Sequence, residues 1–137
     1  MGRWGFIKGR GKDLAPSLTP EVLQNELQRL GLHDPGLDIR IAGDIVHLSG
    51  PVPSQDDKER IILAVGNVRG VAAVIEDIPS KADPSFYTIV PGDTLRSVAA
   101  TWLGCAERWH DILAANRPML SASDLIYRGQ VLRLPRN

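Results

Sequence analysis

The segment 64–71 offers backbone oxygens as ligands for a cation. It reads Ala-Val-Gly-Asn-Val-Arg-Gly-Val, and the patterns on its two sides predict that a helix ends here and a strand begins. The last carbonyls of a helix have no partner inside the helix, and the helix dipole places partial negative charge on them. Several such oxygens can replace the water shell of a large, weakly hydrated monovalent cation. The competing interpretation is that Gly66 and Gly70 only end a helix and permit a turn.

Other kinds of chemistry find little support in the residue types. The sequence has no Asp-rich loop of the calcium-binding kind, and its histidines, His33, His47 and His110, fall on different predicted elements without ligand spacing. It also lacks a Gly-x-Ser-x-Gly elbow, a phosphate loop and a dinucleotide fingerprint. Cys105 follows a glycine at a helix junction, where we expect a packed thiol rather than a nucleophile. We therefore expect a protein that binds and not an enzyme.

The charge balance argues against nucleic acid as a partner. The chain of 137 residues carries 16 basic and 16 acidic side chains, a formal net charge of zero, whereas nucleic-acid-binding domains are usually basic. The charges are unevenly placed, because residues 1–13 hold four basic side chains against one acidic and residues 14–84 hold six against eleven. This asymmetry favours docking of the N-terminal segment on the body that follows it.

The N-terminal residues lack the apolar core of a secretory signal, since Gly, Lys and Arg interrupt them. No apolar run in the sequence is long enough to span a bilayer. We therefore expect a cytoplasmic monomer, and the single cysteine excludes a disulfide within the chain.

Residues 16–78 carry the signals of an α-β-β-α-β domain. Thr19 as N-cap and Pro20 at the first helical position predict a helix with one leucine face. Alternating apolar residues predict a hairpin over 37–48, and Ser54 predicts the start of a second helix. A third strand is predicted over 71–75. Residues 1–15 are expected to pack on this domain through an apolar anchor made of Trp4, Phe6 and Ile7.

Residues 86–137 predict a smaller βααβ domain, which follows a linker at 79–85 that contains two prolines. Its first strand includes Tyr87 and runs into a turn where Asp93 is the expected N-cap of a helix. A second helix is predicted to end at Asn116, and a closing strand near the C-terminus is predicted to pair with the first. The core stripe of the first helix is expected to consist of Leu95, Val98, Ala99 and Trp102.

Both halves resemble known domain families. The run 46–50 before a capped helix, followed by 68–74, resembles the BON domain, and the series from Tyr87 to Pro135 resembles the LysM domain. With the opening residues 1–8, the whole chain resembles the small bacterial BON–LysM potassium-binding proteins. This resemblance implies an α+β protein of two small domains with K+ as its ligand.

The same resemblance implies which groups hold the ion. In that family, main-chain carbonyls of the N-terminal segment and of the second helix end bind potassium, and the matching positions here are Ile7, Arg10, Lys12, Gly66, Val68 and Val71. Binding is expected to favour a compact arrangement of the domains, so that the protein serves as an ion sensor or buffer.

The LysM resemblance implies a different partner, a glycan that contains N-acetylglucosamine, such as peptidoglycan, with the BON domain as an interaction platform. The sugar would lie in a shallow groove between a turn and the loop after the second helix. The implied residues are Gly92, Asp93, Thr94, Leu95, Met119, Leu120, Asp124 and Ile126. Folding alone also accounts for these residue types, so this remains the alternative.

Overall fold

The computed structural model describes residues 2–14, 17–79 and 84–135. Its strands and helices are β1 (Gly2–Gly5), α1 (Pro20–Arg29), β2 (Asp38–Ala42), β3 (Ile45–Ser49), α2 (Gln55–Gly66), β4 (Ala73–Asp77), β5 (Phe86–Thr88), α3 (Leu95–Trp102), α4 (Trp109–Ala115) and β6 (Val131–Arg133). Short 3-10 turns lie at Ala106–Arg108 and Ser123–Leu125. The predicted α+β class is confirmed. Most of the predicted linker and the predicted boundary at 15/16 lie outside the described residues.

The first domain packs two helices on a four-stranded sheet of order β1-β4-β3-β2. Both predicted caps form, because the Thr19 side chain accepts a hydrogen bond from the Val22 N–H at 3.2 Å and Ser54 accepts one from the Asp57 N–H at 3.0 Å. Leu23 and Leu27 of α1 are buried against α2 and the sheet. Local capping and the apolar helix face therefore determine these elements.

The strand β1 has no counterpart in the sequence prediction. It pairs antiparallel with β4, with Arg3 opposite Ile75 and Trp4 opposite Val74. Two of its four residues are glycines, which weaken strand formation, so tertiary pairing and not propensity makes this segment a strand. The strand β4 also begins two residues later than predicted, because the Val71 N–H closes a turn with the Val68 carbonyl at 3.2 Å.

The second domain is the predicted βααβ unit, with β5 and β6 paired antiparallel. Two predictions about α3 are wrong. Its N-cap is Thr94, which forms a reciprocal capping box with Ser97, since the Asp93 carboxylate instead accepts hydrogen bonds from the Tyr87 hydroxyl at 2.5 Å and the Val90 N–H at 2.9 Å. Trp102 lies outside the core with 58% of its surface exposed.

Cys105 is exposed, so the prediction of a packed thiol is also wrong. The C-cap of α4 is Asn116, as predicted. The core of this domain consists of Ile89, Leu95, Val98, Ala99, Ile112, Leu120, Leu132 and Leu134.

The two domains meet where α2 lies beside β6. Arg133 of β6 is 4% exposed and reaches α2, with its Nε 3.1 Å from the Glu59 carboxylate and its terminal nitrogen 2.5 Å from that of Asp56. Trp4 and Phe86 make an edge-to-face contact with ring centroids 5.1 Å apart. The interface is thus partly ionic. The helix α2 contributes both to the hydrophobic core of the first domain, called the first core below, and to the contact between the domains.

A second buried ion pair joins α2 to the sheet inside the first domain. Lys58 Nζ lies 2.8 Å from the Glu76 carboxylate, with side chains 3% and 2% exposed, and donates a hydrogen bond to the Ile78 carbonyl at 2.9 Å. The carboxylate oxygen nearest to Lys58 has no aligned hydrogen bond among the described residues, so charge holds this contact.

We predict that Lys58→Met lowers the free energy of unfolding by about 3–5 kcal/mol, because it leaves the Glu76 carboxylate buried without its counter-charge. The double variant Lys58→Met/Glu76→Leu should recover most of this loss. Urea unfolding of the three proteins measures the difference. Equal stability of the single and double variants would contradict the prediction.

Candidate cation site

The N-terminal segment lies across the C-terminal end of α2 and is tied to it by backbone hydrogen bonds. The Lys12 N–H donates to the Asn67 carbonyl at 2.8 Å, and the Arg69 N–H donates to the Lys12 carbonyl at 3.0 Å. Nearby, the Gly70 N–H donates to the Lys8 carbonyl at 2.8 Å. Two stretches far apart in sequence, 7–12 and 66–71, therefore lie side by side.

This docking changes the surroundings of the Gly66 carbonyl. In a continuing helix or its last turn, the N–H groups of Arg69 and Gly70 would reach this oxygen. Here both donate to the N-terminal segment instead. The Gly66 carbonyl thus lies at the negative end of the α2 dipole without these two helical donors.

The other implied ligands lie in the same two stretches. The carbonyls of Ile7 and Val68 each close a turn, accepting from the N–H groups of Arg10 at 3.0 Å and Val71 at 3.2 Å. A carbonyl oxygen has two lone pairs, so one hydrogen bond leaves capacity for a cation. The oxygens are therefore chemically able to act as ligands, although several already accept one hydrogen bond.

Two glycines allow the segments to approach this closely. Gly11 has φ +114°, and a Cβ there would meet the carbonyl oxygen of Asn67. A Cβ on Gly66 would meet the ring of Phe6, which is buried in the first core at 9% exposure. Gly11 was not among the predicted site residues. Its position between the implied ligands Arg10 and Lys12 was the one feature of the sequence that could have indicated its role.

The side chains of Lys12 and Arg10 in the N-terminal segment contact other parts of the protein. Lys12 Nζ lies 2.5 Å from the Glu26 carboxylate of α1, which Arg29 also contacts through Nε at 2.8 Å. Arg10 packs beside Gly129 of the second domain, as does Ile7. Ile7 is 49% exposed and does not pack on the core of the first domain, so its predicted place in the apolar anchor is wrong. Phe6 is buried in that core and Trp4 packs against it, as predicted.

Glu26 is the charged centre of this cluster and is only 8% exposed. Burial raises the pKa of its carboxyl, but hydrogen bonds from Arg29 and Lys12 and their positive charge outweigh burial and lower the pKa below its ordinary value of 4.5. The ionised carboxylate thereby holds the Lys12 ammonium, and with it the segment that carries the Lys12 carbonyl.

A cleft of about 360 Å³ opens beside this cluster, between the two domains. The N-terminal segment, both helices of the first domain and loops of the second domain form its walls; among the lining residues are Lys12, Glu26, Asn67, Met119, Tyr127 and Gln130. Burial raises the pKa of the Tyr127 hydroxyl. Met119, expected beside a sugar, instead lines this cleft and packs against the first core.

A smaller cavity of about 250 Å³ lies on the second domain. Thr94, Leu95 and Asp124 of the predicted groove line it, together with Arg96, Trp109 and Ser123, which the sequence prediction missed. Leu120 is 2% exposed in the core, and Ile126 packs against that core. Gly92, with φ +92°, and Asp93 shape the preceding turn.

The parts of the chain that the structure describes hold no cluster of three or more His, Cys, Asp or Glu side chains suited to a metal ion. None of the helices formed by the described residues is long and apolar enough to cross a membrane.

The fold and this arrangement define a two-domain BON–LysM protein. Residues 20–79 match the BON domain family and residues 87–135 match the LysM domain family. Over 147 aligned positions the chain is 35% identical to the potassium binding protein Kbp of Escherichia coli O6:H1, covering 98% of this chain and 99% of that protein. The chain belongs to the same family as Kbp.

We predict that the Glu26 contacts stabilise the protein least in acid. Because the pKa of Glu26 is lowered on folding, the stability that its charge contributes is present above pH 4.5 and is lost as pH falls through the lowered folded pKa. The stability difference between the wild type and Glu26→Gln should therefore shrink on acidification. Urea unfolding of both proteins, from neutral pH down to below the folded pKa of Glu26, measures this stability difference. Glu21→Gln, at an exposed position, is the control. A difference independent of pH would contradict this account.

Proposed function

We propose that this chain binds a potassium ion where residues 7–12 lie against the C-terminal end of α2. The ligands would be the main-chain carbonyls of Ile7, Arg10, Lys12, Gly66, Val68 and Val71. The observation that carries the proposal is the docking of these two stretches through the bonds from Lys12 to Asn67, from Arg69 to Lys12 and from Gly70 to Lys8. The name of the related Kbp, a potassium binding protein, supports the same ion.

The neutral carbonyl oxygens of this site suit a monovalent cation. Neutral carbonyl oxygens can replace the loosely held water of K+, whereas Ca²⁺ and Mg²⁺ are usually bound with the help of carboxylates. The negative end of the α2 dipole adds attraction for a cation. The Lys12 ammonium forms an ion pair with Glu26, which partly neutralises its charge.

Binding would also act on the domain arrangement. A ligand that binds the docked N-terminal segment better than the free one shifts the population toward the docked state. Ile7 and Arg10 of this segment pack beside Gly129 of the LysM domain, so the docked segment also favours contact between the domains. A cytoplasmic sensor or buffer of potassium fits this mechanism, in which no chemistry is performed on a substrate.

Thermal unfolding in KCl, RbCl and NaCl at one ionic strength tests the proposal. Selective binding to the folded state raises the melting temperature with ligand concentration. We expect stabilisation in KCl over NaCl, with RbCl close to KCl because the two ions are similar in size. Identical melting temperatures in the three salts would refute selective cation binding.

The glycines of the N-terminal segment provide a matched pair of variants. Gly11→Ala should abolish most of the potassium-dependent stabilisation, since a Cβ there meets the Asn67 carbonyl and the backbone has φ +114°. Gly9→Ala should leave it intact, because nothing lies within 4 Å of a Cβ at that position. The readout is the difference in melting temperature between KCl and NaCl. Equal losses in the two variants would count against the docked segment as part of the site.

A glycan is the second candidate ligand, favoured by the cavity that Thr94, Leu95, Asp124 and Trp109 line. The Arg96 guanidinium lies 5.7 Å from the Trp109 ring centroid, and Trp109 Nε1 is buried without a hydrogen-bond partner among the described residues. The Trp109 ring would pack on a sugar face, and its indole N–H would donate to the N-acetyl oxygen once the sugar enters the cavity.

Titration with N-acetylglucosamine oligomers tests this alternative. If the groove binds sugar, the amide signals of residues 92–95 and the Trp109 indole N–H signal shift together, and Trp109→Leu removes the response. Unchanged signals at saturating oligomer would leave the LysM domain without a glycan function. The exposed Trp102→Leu serves as the matched control.

A further inference from the structure

Asn67 connects three parts of the molecule. It is the C-cap of α2, and its backbone carbonyl accepts the Lys12 N–H of the N-terminal segment at 2.8 Å. Its side chain crosses to the LysM domain, where Nδ2 donates to the Val131 carbonyl at 2.8 Å and Oδ1 accepts the Val131 N–H at 2.9 Å. One residue therefore binds the N-terminal segment through its backbone and the second domain through its amide.

The contact with Val131 reproduces strand pairing. A carboxamide presents a donor and an acceptor side by side, as a strand residue does to its neighbour. Asn116, inside the LysM domain, makes the same pair of bonds to Arg133, with both distances 2.9 Å. The edge of β6 that faces away from β5 is thus bound by two asparagine amides, one from each domain.

We propose that Asn67 is the positioning residue that couples the cation site to the docking of the LysM domain. This inference rests on the proposed potassium function. The peptide plane before Asn67 contains the Gly66 carbonyl, an implied ligand, and the plane after it contains the Asn67 carbonyl, which Lys12 holds. A bound cation together with the docked segment fixes both planes, and so fixes the direction of the Asn67 side chain toward Val131.

The bidentate geometry makes this coupling sensitive to orientation. Two hydrogen bonds to one residue require the amide plane to face the strand edge, and hydrogen bonds weaken steeply when misaligned. The Arg133 contacts with Glu59 and Asp56 also join the domains, but they lie on earlier turns of α2 and touch neither carbonyl stretch. By reciprocity, docking must raise cation affinity by the same factor by which the cation favours docking.

Amide NMR of the full chain, titrated with KCl against NaCl at fixed ionic strength, tests the proposal. In the wild type, we expect potassium to shift the amides of Gly66, Gly70 and Val131. In Asn67→Ala, the shifts at Gly66 and Gly70 should persist while the shift at Val131 disappears. Potassium affinity should fall about 5-fold or more, the lower range of measured coupling factors.

The backbone of Asn67, at φ −80° and ψ 15°, is accessible to alanine, so the variant removes the amide without straining the cap. Asn67→Asp is the second variant. It keeps the shape and the acceptor but cannot donate to the Val131 carbonyl, so the potassium shift at Val131 should disappear here too. Affinity is compared in Asn67→Ala alone, because the added carboxylate itself attracts a cation. Asn116→Ala is the matched control, because it removes the same two bonds from β6 within one domain.

Each outcome has a distinct meaning. A potassium shift at Val131 that persists in both Asn67 variants, with unchanged affinity in Asn67→Ala, would overturn the assignment. Loss of that shift in Asn116→Ala as well would assign it to general loosening of β6, and would also overturn the specific role of Asn67. If wild-type Gly66 and Gly70 show no potassium-specific response, the proposed cation function itself fails.

Discussion

The exchange of backbone hydrogen bonds between Lys12 and the residues that follow α2 is the interaction on which the rest of the structure depends. Lys12 donates to Asn67 and accepts from Arg69, and Lys8 accepts from Gly70. These bonds take two helical donors away from the end of α2 and bring the N-terminal segment against it. The close approach requires glycine at position 11. Together with the bond from the Phe6 N–H to the Ala72 carbonyl at 3.0 Å, this exchange holds the two carbonyl stretches side by side and keeps the segment that reaches Gly129 of the LysM domain in place.

The helix α2 makes this local arrangement matter for the whole molecule. Residues 61–66 are all buried: the helix packs on α1 and the sheet, pairs with Arg133 of the second domain through Glu59, and ends at the candidate site. The domain interface depends on ionic and amide contacts as well as apolar packing. Such contacts cost much when one partner is lost and demand a defined geometry, so they favour one docked orientation of the domains.

The helices of the fold were predictable from sequence because caps and apolar faces are local signals, as at Thr19 and Ser54. Where two neighbouring residues could both cap a helix, the sequence alone did not show which one does. Thr94 caps α3 because the Asp93 carboxylate accepts a hydrogen bond from the Tyr87 hydroxyl instead. The strand β1 and the exposed Trp102 depend on tertiary packing in the same way. At the site, every residue carries a carbonyl, so only the family resemblance indicated the six ligands. The roles of Gly11 and Asn67 arise from contacts across more than fifty positions of sequence, which no local pattern encodes.

The pairing of asparagine amides with β6 has a consequence for behaviour in concentrated solution. A strand edge with open N–H and C=O groups is a template for intermolecular pairing and aggregation, and proteins usually cover or interrupt it. Asn116 protects the Arg133 end permanently from within its own domain, whereas the Val131 end is protected only while Asn67 of the other domain is in place. Separation of the domains would therefore uncover half of this edge, so domain docking also guards the protein against self-association.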